Sequence, residues 1–122
     1  MGHEFEPLSR RIIEAAIEVH KALGSWFLES VYEKALGVAL TDRDIHWTSQ
    51  REIVIVFEGV DVGIHRLDLI VEERIIVELK AVKALEEIQF AQLKSYLKAT
   101  GLHIGLLLKF NAPTLVIKRV VL

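Results

Sequence analysis

The chain has 122 residues, 52% of them hydrophobic, a formal net charge of −2 and no cysteine. That is the length of one domain, residues 1–122, with enough apolar material for a real core and for a buried contact between copies. The absence of cysteine excludes disulfides, zinc-thiolate sites and iron–sulfur clusters and fits a reducing cytoplasmic setting, while the charge is not that of a tight, sequence-independent DNA binder. The start, Met1-Gly2-His3-Glu4-Phe5-Glu6, lacks a cationic–hydrophobic export pattern, and no apolar span long enough for a membrane follows it. Glu6 occupies the position where an acylation signal needs Ser or Thr.

Periodicity predicts a helix from Pro7 to Leu23, with Pro7 suited to a first turn, and a second from Phe27 to Thr41. Strands follow at Arg51 to Glu58, Val62 to Val71 and Arg74 to Lys80. A third helix runs from Ala84 to Ala99, stopped by Thr100-Gly101, and strands at His103 to Phe110 and Leu115 to Val121 complete the chain. Glu72-Glu73 and Asn111-Ala112-Pro113 are short enough to make two hairpins. No repeat, linker or low-complexity stretch is present.

The chemistry centres on Arg74 to Lys80. Side chains alternate along a strand, so Glu78 and Lys80 project together, and the preceding hairpin brings Asp68 toward Glu78. Strand interiors this aliphatic rarely admit carboxylates without a partner, because an unpaired buried charge costs several kcal/mol or is neutralised by a pKa shift. A hard divalent cation, Mg²⁺ or Mn²⁺, supplies such a partner with Asp68 and Glu78 as ligands. Lys80 then stands ready to orient a water or to neutralise charge on phosphorus, the equipment for phosphodiester hydrolysis. Taken alone the spacing is loose, and an ordinary ion pair of Glu78 with Lys80 or Arg66 at a sheet edge is the better account of it.

Two helices add to the pattern. In the third, Phe90, Leu93 and Leu97 form one arc, Glu87, Lys94 and Lys98 the solvent arc, and Gln92 and Tyr96 lie one turn apart beside the apolar arc, facing the sheet. In the second, Leu28, Tyr32, Leu36, Ala39 and Leu40 form the apolar arc and Glu29 falls inside it. An inward Glu either accepts hydrogen bonds from a backbone or from His20, or adds a third carboxylate to the metal site. Glu33, at the edge of the arc, reads as a surface charge. The histidines lack ligand spacing, which argues against a zinc hydrolase, and no glycine-rich phosphate loop is present. From Glu78 onward the charge is about +4 and before it about −6, compatible with a basic rim around an acidic site.

These residues carry a resemblance that spans most of the chain. The segments Ala16 to Gly24, Phe27 to Glu33, Arg66 to Val71, Ile76 to Val82, Ala91 to Lys98 and Gly105 to Phe110 are similar to those of the GxxExxY family, small members of the PD-(D/E)XK nuclease superfamily. The resemblance implies an α/β, three-layer restriction-endonuclease-like core, a mixed sheet flanked by helices. It implies a metal site built from Asp68, Glu78 and Lys80, with Gln92 and Tyr96 as the accompanying motif and Glu29 as the helix-borne acid that completes it. It further implies a deoxyribonuclease using Mg²⁺ or Mn²⁺. Two positions depart from the family. Trp26 stands at the glycine of the family's name, so the turn into the second helix is expected to be built differently. Lys109 stands where asparagine is usual, and a late-strand lysine is expected to be solvated.

A reading of another class is a homo-oligomeric assembly or nucleic-acid-binding module with little turnover. Trp26-Phe27, which suits a subunit contact or a surface on which a base stacks and is read as the former, and the aliphatic end Val116 to Leu122 motivate it.

Overall fold

The computed structural model describes residues 6–122; the reading of Met1 to Phe5 as free of targeting signals concerns residues outside that range. Helix α1 (Pro7–Leu23) starts on Pro7 and stops at Gly24, whose φ of 69° reverses the chain. Its buried stripe of Ile12, Ala15, Ala16 and Val19 follows the helical spacing. Helix α2 (Glu29–Asp42) buries Tyr32, Leu36, Ala39 and Leu40 as expected, but Leu28, assigned to the same arc, precedes the helix and is exposed.

Five strands form one sheet in the order of their sequence: β1 (Trp47–Phe57), β2 (Val60–Val71), β3 (Ile75–Lys80), β4 (Ile104–Lys109) and β5 (Val116–Val121). Both expected hairpins are present, β2–β3 and β4–β5, each antiparallel. Only β3 and β4 run parallel, and helix α3 (Glu87–Thr100) makes the crossover between them. Helices α1 and α2 cover one face of the sheet, against Leu69, Val77, Leu79, Leu106 and Leu108. Helix α3 covers the other, against Ile70, Ile76, Leu107 and Val120. The result is a mixed sheet between two helical layers.

The larger shifts at element starts have physical reasons. Strand β1 begins at Trp47 rather than Arg51, through a polar stretch interrupted by Gln50 in a left-handed conformation (φ 54°). Helix α3 begins at Glu87 rather than Ala84, because Glu86 and Gln89 form a reciprocal capping box there. Helix α2 begins two residues late because Trp26 and Phe27 belong to the turn before it.

Strands β2 and β3 pair only from Leu69↔Val77 to Val71↔Ile75, whereas β2 pairs with β1 over nearly its whole length. The distal β1–β2 ribbon therefore runs on past the carboxyl end of β3 with no third strand beside it. Among the described residues no helix is long and apolar enough to cross a membrane.

Candidate active site

Asp68 and Glu78 meet where β2 parts from β3. The Asp68 N–H donates to Glu78 Oε2 at 2.9 Å, and the Leu79 N–H donates to Asp68 Oδ2 at 2.9 Å. Each carboxylate thus takes one backbone donor of the opposing strand. The expected neighbourhood of Asp68 and Glu78 is real, and the Glu78 side chain is nearly sealed from solvent.

Burial is the main electrostatic fact here. It pushes the Glu78 carboxyl up to about 8, with repulsion from Asp68 adding to the effect and the Asp68 amide and Lys80 opposing it. Asp68 is raised as well, again first by burial, against the Leu79 amide and Lys80. At neutral pH the pair therefore retains a proton between two groups that both resist ionisation.

Lys80 is placed as the alternation predicted, on the face that carries Glu78. Its Nζ lies 3.9 Å from Glu78 Oε1 and donates to Gln92 Oε1 at 3.2 Å. Gln92 is therefore exposed at the cleft rather than packed on the sheet, and it holds the lysine. Arg66, the other candidate partner of Glu78, pairs with Glu52 at 2.5 Å instead. Tyr96 is buried on α3, its hydroxyl pushed up by burial and then by Glu78 and Asp68. Its ring lies 4.7 Å from that of His65, which also bonds Ser95 Oγ at 2.8 Å.

Glu29 reaches the same end of the sheet from the opposite layer. Its Oε2 accepts from the Ala81 N–H at 2.8 Å, so of the roles open to it the backbone acceptor is formed. His20 is not its partner: His20 Nε2 lies 3.0 Å from the Phe110 carbonyl and 2.9 Å from that of Ala112, tying α1 to the β4–β5 turn. Among the described residues no three Asp, Glu or His side chains gather closely enough to hold a metal ion. The Asp68–Glu78 pair is the centre of the acidic group, with Glu29 standing off on Ala81.

The donor set nevertheless suits a hard cation. Glu78 is buried and Asp68 half-buried, each engages one backbone amide, and a lysine lies beside them; a divalent ion would relieve the repulsion of the ionised pair as protonation does.

Sequence reasoning missed two polar residues at this site. Glu33 is no free surface charge: it accepts from Gln50 Nε2 at 2.7 Å, and its carboxyl is raised by burial and by repulsion from Asp68 and Glu29. Gln50 lies level with Asp68, between the rungs Ser49↔Leu69 and Arg51↔Leu67, where its left-handed backbone interrupts the ladder. The i, i+4 spacing of Glu29 and Glu33 was the available signal.

Trp26 and Lys109 also read differently in three dimensions. Trp26 keeps a positive φ of 84°, so the turn retains the backbone that glycine would adopt. Lys109 is buried rather than solvated; it is the register partner of Lys80, and its Nζ donates to the Asn111 carbonyl at 2.8 Å.

The sequence and the fold have counterparts among known proteins. The family profile described as the PD-(D/E)XK nuclease superfamily matches residues 6–120. No match was found among curated proteins. Among solved structures, that described as "Crystal structure of SSO0001" is similar, with a TM-score of 0.58 and 16% sequence identity over 97% of this chain and 59% of the other. At that identity the likeness concerns the fold, and the chain spans under two thirds of the larger protein. The three-layer mixed sheet agrees with the restriction-endonuclease-like fold, and the chain belongs to the PD-(D/E)XK nuclease superfamily.

Proposed function

We propose that this protein is a Mg²⁺- or Mn²⁺-dependent deoxyribonuclease of the GxxExxY type, with Asp68 and Glu78 as the metal ligands and Glu29 as the outlying acid. The observation that carries the reading is the reciprocal Asp68–Glu78 arrangement with Lys80 beside it. Structural ion pairs form between opposite charges, whereas this cluster sets a buried and a half-buried carboxyl, which would repel one another if both ionised, beside one lysine. When bound, the cation supplies positive charge to the phosphate and acidifies a water.

The remaining work falls to the chain's own groups. Lys80, tethered by Gln92, places an ammonium where charge develops on the phosphoryl oxygens or orients the attacking water. Tyr96 supplies a phenol whose ionisation is opposed first by burial and then by Glu78 and Asp68. DNA as substrate is supported by the superfamily and by the exposed Lys83, Lys94 and Lys98 on and before α3. A cytoplasmic location is the setting that the cysteine-free composition suits.

The test is a cleavage assay on single- and double-stranded DNA and on RNA with Mg²⁺, Mn²⁺ or EDTA, running wild type beside Asp68→Asn. Metal-dependent cleavage of DNA, lost in the variant, is expected. Cleavage that persists at its original rate in Asp68→Asn would mean that the site is elsewhere.

A specific feature favours homo-oligomerisation alongside this activity. Val54, Val56, Phe57, Val60, Val62 and Ile64 are all exposed on the β1–β2 ribbon. A two-stranded ribbon is marginal by itself, β1 is an unpaired edge, and a patch of this kind in a soluble protein marks a contact surface. We assign it to a second copy of the chain. Light scattering is expected to give a multiple of the 13.9 kDa chain mass, reduced to one chain by Val56→Lys with Ile64→Lys; a monomeric wild type overturns the assignment.

A further inference from the structure

We propose that Trp26 is a stacking platform for an unpaired nucleobase of the substrate strand, one short step from the carboxylate site. The inference rests on the nuclease reading and adds a substrate contact together with a preference for unpaired nucleic acid.

The first observation is strain without compensation. A bulky residue at φ 84° costs about 1–3 kcal/mol relative to one that tolerates the left-handed region. Packing does not offset it, since Trp26 is 86% exposed. Trp47 is the contrast: its ring packs against Gly37 and its indole N–H donates to Thr41 Oγ1 at 2.9 Å.

The second is that the strained residue sits on a rigid mount. The Gly24 N–H donates to the His20 carbonyl at 2.8 Å, and Ser25 Oγ donates to that of Ala112 at 3.0 Å. On the other side the Phe27 N–H donates to Tyr32 Oη at 3.2 Å, and that hydroxyl donates back to the Gly24 carbonyl at 2.5 Å. Both flanks of Trp26 are fixed, so the ring is presented with little backbone freedom left to lose on binding.

The third is where the ring points the substrate. Trp26, Phe27, Leu28, Glu29, Ala81 and Asn111 line a groove of about 510 Å³. Glu29 and Ala81 are the pair whose hydrogen bond borders the acidic cluster. Three peptide units separate the Trp26 and Glu29 Cα atoms, which places them at most about 11 Å apart. On its other side Trp26 helps to line a cavity of about 620 Å³ with Lys21 at its rim, a cation for backbone phosphate.

Groove, aromatic face and cation in series form the combination that holds single strands. Stacking accepts any base because every base has a π-face, whereas bases inside a duplex are already stacked on one another. A second copy of the chain is the poorer occupant, since it would close the groove that leads to Glu29.

Tryptophan emission provides the test, with Ca²⁺ in place of Mg²⁺ and oligothymidylate as the probe. Wild-type emission is expected to be quenched on binding, and Trp26→Gly, which retains only Trp47, to show no quench. By anisotropy of a labelled oligothymidylate, Trp26→Gly is expected to bind about tenfold more weakly and Trp26→Phe to fall between the two. The melting temperature of Trp26→Gly should equal or exceed that of wild type, because the strain is relieved, so weaker binding is not unfolding. Equal affinity in Trp26→Gly overturns the proposal while wild-type cleavage leaves the nuclease reading standing. A fall in particle mass with affinity unchanged makes Trp26 a subunit contact and overturns it too. A wild type that neither binds nor cleaves any nucleic acid overturns both.

Discussion

Asp68 and Glu78 take the place of a missing rung in the sheet. The β2–β3 ladder ends at Leu69↔Val77, and just beyond it the backbone amides of Asp68 and Leu79 are satisfied by carboxylates rather than carbonyls. On the other side of Asp68 the β1–β2 ladder skips a rung at Gln50. Strand β2 is thereby released from its neighbours where the acidic pair sits, and that opening makes room for a ligand in an otherwise continuous sheet.

The first prediction follows from the raised carboxyls. Glu78 is near 4.5 when unfolded and about 8 when folded, so the folded state holds more protons between those values. Stability of the metal-free protein therefore falls as pH rises from about 4.5 to 8, by an amount on the order of a few kcal/mol. Mg²⁺ competes with the retained proton, so it should raise the melting temperature more at pH 8 than at pH 5. Thermal melts across pH with EDTA or Mg²⁺ check this; a metal-free stability that increases toward pH 8 contradicts it.

Neutral isosteres separate chemistry from folding. Glu78→Gln and Asp68→Asn keep an oxygen for the backbone amide and remove the mutual repulsion, so each should melt at or above the wild-type temperature at pH 8 in EDTA. Cleavage should fall at least about a hundredfold with either, as with Lys80→Met. Asp68→Ala is the less clean variant, since it leaves the Leu79 N–H without its acceptor at a cost of about 1–3 kcal/mol. Parallel melting and cleavage measurements on the four variants decide the matter.

Much of this was legible because simple rules coincided. Pro7, Gly24 and the stripe between them marked α1 to the residue, and the alternation from Ile75 to Lys80 put Glu78 and Lys80 on one face. What escaped depends on contacts between distant segments. Gln50 takes a left-handed conformation that no local propensity favours, and only the fold brings it to Glu33. Lys109 is buried although a late-strand lysine suggests solvent, because its stem lies in the sheet and its ammonium turns to a carbonyl two residues on. The outward display of Leu28 follows from a helix that starts two residues later than its periodicity implies.

The placement of α3 rests on a residue with no side chain. A Cβ at Gly105 would fall 2.7 Å from Leu93 Cδ1, and Leu93 is fully buried beside Gln92. Gly105→Ala should therefore push α3 outward, cost about 1–3 kcal/mol and lengthen the Gln92–Lys80 contact, with cleavage falling several-fold. Gly63→Ala is the control, because its added methyl would meet only Ile55 at 3.9 Å. Equal stability and activity in the two variants would mean that α3 adjusts freely.

Tyr32 is a clamp on the turn that carries Trp26. Its ring stacks on Phe110 at 4.3 Å, and its hydroxyl bridges the Phe27 amide and the Gly24 carbonyl. Tyr32→Phe keeps the stack but takes the hydroxyl partner from two part-buried backbone groups, so it should cost about 1 kcal/mol. The loss is local. Hydrogen exchange at the Phe27 amide should accelerate by more than the global loss of stability explains, while amides of β3 and β4 should follow the global change. Uniform acceleration across all of these sites would show instead that the tyrosine supports the core as a whole, and that the turn before α2 draws its rigidity from Ser25 and His20.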